Sequence, residues 1–332
     1  MFGKQYIRRI VMGFAAAALV LMMAPVGAEA AVYDSEVPGS VLIFPKFDIS
    51  DRHETYLRIK NLSGLTPQDE NEITLHYYYV CPSCDSANRI RKFTSKDAEW
   101  INVRRDNPPC EQGYVIAWAE SVFPAGVRIP HNYLIGDATI VKGADRSSYD
   151  AIAIQSPLPQ GIPTTDLNGN GGLDFDGNEY AQVPQTSYFD FWATRVNTQT
   201  WVATQQSLVT LLSLDVNSGQ ENETTNVDFS CYDDKEVPFS ANYEFHCWAE
   251  VPLTYIDAMF YRSNLRADHG WCEVRPATGE TMTIMGLIED ETYTALANEG
   301  SLTNTIATGH LRSTAARGLS HDARPLSTLF TP

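Results

Sequence analysis

The chain has 332 residues, 24 Lys+Arg against 41 Asp+Glu, a formal net charge of −17 and 43% hydrophobic residues. That much apolar material supports a sizeable core and excludes a wholly disordered chain, and the length fits roughly two domains of ~100–200 residues each. The acid excess excludes nucleic acid and anionic membrane surfaces as partners, because clustered Lys and Arg are what hold both.

The first thirty residues read as a secretory signal peptide. Lys4, Arg8 and Arg9 form a basic start, residues 10–24 (IVMGFAAAALVLMMA) an apolar stretch, and Ala28-Glu29-Ala30 a small-x-small cleavage site. The apolar stretch is short for a membrane span, which takes ~20 residues. Cleavage after Ala30 leaves 302 of the 332 residues, at a charge of −19, with no later segment of transmembrane length. The expected location is therefore secreted, either extracellular or periplasmic.

The remainder reads as β-structure. Residues 40–47 (SVLIFPKF) open with an apolar run. Residues 55–60 alternate, with Leu57 and Ile59 on one face and Arg58 and Lys60 on the other. Residues 72–81 place Ile73, Leu75, Tyr77, Tyr79 and Cys81 on one face, which turns Tyr78 the other way. Residues 113–119 (GYVIAWA) are apolar throughout, as in a strand covered on both sides. Residues 133–141 and 149–154 continue the series. Strands of this length between Gly/Pro/Asn/Asp clusters predict an antiparallel sandwich rather than βαβ units.

Residues 156–180 break the pattern with Pro157, Pro159, Pro163 and several glycines, and predict a connector. It holds the best candidate metal site. Asp166, Asn168 and Asn170, then Gly171 and Leu173, match the first part of an EF-hand-type loop, in which carboxylates and amides on a tightly curled backbone surround calcium. The match then fails, because the position of the bidentate Glu is Gly177, with Asp176 one residue early and Glu179 two late. Asp174 and Asp176 complete the candidate ligand set. The competing explanation is a solvated turn, which Asn, Asp and Gly also favour. A calcium ion here would be structural.

Strands resume at 207–216 (SLVTLLSLDV), 226–232 and 242–251. Val227, Phe229 and Cys231 share one face, as do Tyr243, Phe245 and Cys247. A bridge inside this half follows, with Cys272 competing for the same partner. A short helix is predicted at 289–298, and the end of the chain at 325–332 is read as an edge strand or a loose tail. Aromatics cluster at Tyr77, Tyr78 and Tyr79 and again from Tyr188 to Trp192. On an exposed sheet they would stack on sugars or fill an interface, whereas a covering sheet would make them core.

The six cysteines are Cys81, Cys84, Cys110, Cys231, Cys247 and Cys272, three in each half. If all pair within the chain, an odd number per half requires at least one bridge between halves. In an exported protein, disulfides rank ahead of zinc ligation or a Cys81-x-x-Cys84 redox motif. The favoured pairing in the first half is Cys81 or Cys84 with Cys110. The seven histidines are scattered, with no His-Glu-x-x-His, and Gly318-Leu-Ser320-His321-Asp322 is only part of a nucleophile elbow.

Residues 39–45 (GSVLIFP), 56–61 (YLRIKN), 76–81 (HYYYVC), 113–118 (GYVIAW), 134–138 (LIGDA) and 245–251 (FHCWAEV) together resemble a group of secreted bacterial proteins with β-rich, sandwich-like chains and no established activity. The resemblance implies export and a β-fold, and carries over no site residue.

The expectation is an all-β chain. Two antiparallel, Ig-like β-sandwich lobes at 31–155 and 181–332 would be joined by the Gly/Asn/Asp-rich loop and stapled by disulfides. Functionally it would be a non-enzymatic structural or binding module at the bacterial cell surface, in matrix or on filaments. Its partners would be other surface proteins, itself or a polysaccharide. The alternative is a secreted carbohydrate-active hydrolase or glycan-binding protein.

Overall fold

The computed structural model describes residues 33–34, 37–64, 72–143, 145–161, 166–169, 171–197, 203–214, 224–277, 284–296, 299–310 and 312–313. The leader at 1–30, Asn170, the segment from Gly318 to Asp322 and the tail at 325–332 lie outside them. With 56% strand against 7% helix, the chain is all-β.

In chain order the strands are β1 (Tyr33–Asp34), β2 (Val41–Asp48), β3 (His53–Asn61), β4 (Ile73–Val80), β5 (Ser86–Phe93), β6 (Ala98–Asn102), β7 (Gln112–Ser121), β8 (Leu134–Lys142), β9 (Asp145–Asp150) and β10 (Ile152–Ile154). Beyond the connector follow β11 (Ser187–Trp192), β12 (Arg195–Val196), β13 (Ala203–Ser213), β14 (Thr225–Asp233), β15 (Pro238–Phe245), β16 (Trp248–Pro252), β17 (His269–Pro276), β18 (Ile284–Leu296), β19 (Glu299–His310) and β20 (Arg312–Ser313). They form a six-stranded sheet, β1-β10-β2-β7-β4-β5, and a four-stranded sheet, β6-β3-β8-β9. The second half supplies a five-stranded sheet, β15-β14-β17-β11-β20, and another, β12-β13-β18-β19, with β16 beside β13. The pairings between named strands are antiparallel, as alternation predicts.

Three cores hold these sheets. The first lies between the six- and four-stranded sheets, where Phe44, Phe47, Leu75, Tyr77, Tyr79, Val115 and Ala117 meet Leu57, Ile59, Ala138 and Ile140. The second sits between the two five-stranded sheets, with Phe189, Phe191, Val227, Phe229 and Val274 against Val209 and Leu211. The third covers the other face of the six-stranded sheet. There Val41, Ile43, Tyr114, Ile116 and Trp118 pack against Leu212, Trp248 and the end of the connector, Tyr180, Ala181 and Val183. Each large aliphatic side chain so buried contributes roughly 1.5–3 kcal/mol.

The third core corrects the picture of two separate Ig-like sandwiches. β2 and β7 are apolar on both faces, so the six-stranded sheet needs cover on both sides. The second half supplies part of it, and the four small sheets succeed one another in a propeller-like ring. A second correction concerns residues 289–298, where β18 runs through Leu296 rather than a helix. The local pattern of Glu, Ala and Leu favours a helix, but pairing with β13 on one side and β19 on the other decides.

A buried ion cluster joins the two halves of the chain. Lys46 Nζ on β2 contacts both Glu250 on β16 and Glu289 on β18. Burial alone would depress the Lys46 ammonium, but the Glu289 and Glu250 carboxylates outweigh it and hold the amine above the ordinary lysine range. One cation facing two acids leaves a surplus negative charge. Burial raises Glu250, Lys46 pulls it down and Glu289 pushes it up, with a net value of about 7.

All six cysteines are paired. Cys81 joins Cys110, Cys84 joins Cys247 across 163 residues, and Cys231 joins Cys272. The bridge required between halves is therefore present. No pair links Cys231 to Cys247, and the reason is geometric. Cys231 stands directly opposite Cys272 in the β14–β17 register, with Cα atoms 4.1 Å apart. Cys247 lies beyond β15, which ends at Phe245, so strand parity no longer aims it. With every cysteine oxidised, neither a zinc ligand nor a redox thiol remains among them. Three disulfides indicate an oxidising compartment outside the cytoplasm. Among the described residues no helix is long and apolar enough to cross a membrane.

Candidate functional site

The four-stranded sheet buries one face and exposes the other. Along β3 the inward Leu57 and Ile59 are fully buried while Arg58 between them is not. Register then builds a row across all four strands. Arg58 stands opposite Trp100 on β6 and opposite Asp137 on β8, and Asp137 stands opposite Asp150 on β9. A second row places Thr139 opposite Ser148. Directly opposed residues have Cβ atoms about 4.5–5.5 Å apart, so each row presents its side chains as one surface.

These residues, with Arg146 and Tyr149, line an open groove of about 350 Å³. Trp100 is 56% exposed, and the Arg58 guanidinium lies over its ring at 5.3 Å from the centroid. Arg58 Nε donates to Asp137 Oδ2 at 2.6 Å, which fixes the guanidinium between an aromatic face and a carboxylate. Among the described residues, Arg146 and Asp150 form no ion pair. Partial burial raises the Asp150 carboxyl above ordinary aspartate, the Asp137 carboxylate adds to this, and Arg58 opposes it. The groove thus offers an aromatic face, the Ser148 hydroxyl, the Arg146 guanidinium, which reaches Thr139 Oγ1 at 3.5 Å, and an acid outside any ion pair. It balances two arginines against two aspartates, although the chain as a whole is strongly acidic.

None of the groove residues was singled out from the sequence. The alternation of β3 turned Arg58 outward, but the sequence carried no sign of which side chains on β6, β8 and β9 would join it.

The aromatics noted in the sequence are covered instead. Tyr78 stacks on Trp118 at 5.3 Å, His76 stacks on Tyr78 at 5.0 Å, and Tyr78 packs against the third core. His76 Nδ1 and Trp118 Nε1 both reach Glu120 Oε1, at 2.6 and 3.2 Å. Burial would raise Glu120, but His76 and Trp118 hold it below the usual range. On β11, Phe189 and Phe191 belong to the second core, while Tyr188 and Trp192 are half-buried on the other face.

The connector loop is curled by positive φ at Gly169, Gly171 and Gly177. Asp166 Oδ2 accepts from Gly171 N at 3.1 Å and lies 3.5 Å from Arg128 Nη2. Asn168 Nδ2 donates to Asp174 Oδ2 at 2.8 Å. Asp176 turns away from these, accepting from Asn178 N at 2.8 Å and Asn178 Nδ2 at 2.9 Å. Glu179, outside the sequence-derived ligand set, is only 2% exposed and accepts from Leu167 N and Asn168 N through Oε1. Among the described residues no three His, Cys, Asp or Glu side chains converge on one point.

Comparison with protein-family models, with curated proteins and with solved structures finds no match.

Proposed function

We propose that the protein is an exported, non-enzymatic binding module that holds a polysaccharide in the groove of its four-stranded sheet, at a bacterial cell surface or in its matrix. The observation that carries this reading is the row Trp100–Arg58–Asp137–Asp150. An exposed indole held in place by a guanidinium is a stacking platform for a sugar ring. The Ser148 hydroxyl and the charged groups beside it match the donors and acceptors of a polyhydroxylated chain, and an open groove of about 350 Å³ admits part of one. A neutral or amino-sugar polymer fits best, because a net charge of −17 repels acidic ones.

Asp137 and Asp150, side by side with one carboxyl raised, support a second reading as a carbohydrate-active hydrolase. Arg58 works against it by tying up Asp137.

The test is retention on a panel of insoluble neutral and amino-sugar polysaccharides, with tryptophan fluorescence on soluble oligomers. Trp100→Ala should weaken binding at least about tenfold, or about 1.4 kcal/mol. Retention by none of the panel would refute the binding reading. Release of reducing ends, abolished in Asp150→Asn, would favour the hydrolase.

A further inference from the structure

We propose that the connector loop is a calcium site anchored by Asp166 and Glu179, and that its ion fastens the connector onto the inter-sheet core. This stands apart from the groove. The sequence pattern alone is ambiguous, since Asn, Asp and Gly also build empty turns. Two atoms separate the possibilities. Asp166 Oδ1 and Glu179 Oε2 are both buried and have no hydrogen-bond partner. Glu179 is 98% removed from solvent, and its other oxygen receives Leu167 N and Asn168 N, so the carboxylate points into the loop. A buried carboxylate oxygen without a donor is costly, and a cation is the partner that removes the cost.

The donor chemistry selects the ion. Asp166, Asn168, Asp174 and Glu179 offer only oxygen ligands besides the Asn168 amide nitrogen, and no Cys or His lies in residues 166–180. Oxygen donors suit a hard cation rather than zinc or copper. A glycine-rich backbone adapts to the irregular shell of six to eight oxygens that calcium takes, whereas magnesium demands a near-ideal octahedron. Because three acidic side chains do not converge, the remaining ligands are amide and carbonyl oxygens and water. Charge favours the ion as well, since Asp166, Asp174, Asp176 and Glu179 share the loop with Arg128 as the cation contacting Asp166 and Gly172 O. Asp176 is not a ligand here, because its oxygens hold the turn at Asn178.

The consequence is mechanical. Tyr180, Ala181 and Val183 follow Glu179 directly and are buried in the third core, and Phe175 packs on Tyr180 at 5.8 Å. An ion gripping Glu179 therefore fixes the point where the connector enters that core.

The experiment uses the full, oxidised chain stripped with chelator. Calorimetric titration with calcium and with magnesium is read beside the melting temperature. Calcium is expected to bind with Kd in the ~0.1–1 mM range of extracellular modules and to raise the melting temperature, with magnesium much weaker. Asp166→Asn and Glu179→Gln should each weaken calcium binding at least about tenfold, while Asp176→Asn leaves it within about twofold. Near-UV circular dichroism establishes that each variant is folded, and wild-type titration decides the matter even where a variant is not. No heat and no melting shift in the wild type would overturn the proposal. So would calcium binding that survives Glu179→Gln, or a Glu179→Gln chain that melts as high without calcium as the wild type does with it, which would mean the orphan oxygen carries a proton.

Discussion

Replacing Lys46 by Met tests the buried ion cluster between the two halves of the chain. Methionine nearly matches the volume of lysine, so packing is retained and the cation alone is lost. Glu250 and Glu289, with side chains 13% and 6% exposed, would then face each other with no counter-charge. Removing one partner of a buried pair costs about 3–5 kcal/mol, because the charge left behind stays desolvated. The loss should depend on pH with a definite sign. Without Lys46 the folded variant holds more carboxyl protons than the wild type at a given pH between 8 and 6, while the carboxyls of the unfolded chains titrate alike. The difference in stability should therefore shrink as pH falls, by about 1.4 kcal/mol per pH unit for each extra proton held. Urea denaturation of the oxidised proteins at pH 8, 7 and 6, followed by tryptophan fluorescence, measures it. A loss below about 1 kcal/mol at pH 8, or a loss that does not change with pH, would refute the account.

Three further outcomes are expected. Glu250 and His131 should pull the wild-type pH profile in opposite directions. Glu250 is raised from 4.5 to about 7, so its contribution is full below pH 4.5 and is lost as pH rises through 7, whereas burial lowers His131 from 6.5 to about 4, so its contribution is full above pH 6.5 and is lost as pH falls through 4. His131→Gln, whose amide can still donate to Asn61 Oδ1, should abolish an acid loss of about 3 kcal/mol, and an unchanged acid limb in urea titrations would contradict this. Asp106→Ala removes the acceptor of Tyr77 OH at 2.7 Å, Tyr79 OH at 2.9 Å and Arg91 Nη2 at 2.9 Å, so a destabilisation of about 3 kcal/mol is expected by chemical denaturation, with less than about 1 counting against it. Removing the Cys84–Cys247 bridge by paired serine substitution opens a 163-residue loop and should cost up to about 5 kcal/mol while the transition stays single, since the third core still joins the halves; two separate transitions would contradict that.

Much of the β-structure was legible because side chains on a strand alternate. The alternation of residues 72–81 put Ile73, Leu75, Tyr77 and Tyr79 inside, and all four are fully buried. The uniform apolarity of 113–119 marked a strand covered twice, as β7 is, with Val115 and Ala117 in one core and Tyr114, Ile116 and Trp118 in another. Simple parity in the cysteine count called for a bridge between halves once all six pair within the chain, and Cys84–Cys247 is that bridge. The same local logic failed at Cys247, just past a strand end, and at 289–296, where helix-favouring residues are held in a strand by β19 and, as far as Thr292, by β13 as well.

The sequence by itself determined the all-β class, the inward faces of its strands and a disulfide link across the chain. These follow from period-two patterning and from counting, which need no partner. Tertiary structure alone decided the rest. Register brought Trp100, Arg58, Asp137 and Asp150 into one row, and burial set Lys46 between Glu250 and Glu289, more than 200 residues away. It also turned Glu179 inward to leave an oxygen unpartnered. Each depends on how strands far apart in sequence slide and stack, and a strand's own side chains fix which face is buried, not which neighbour it meets.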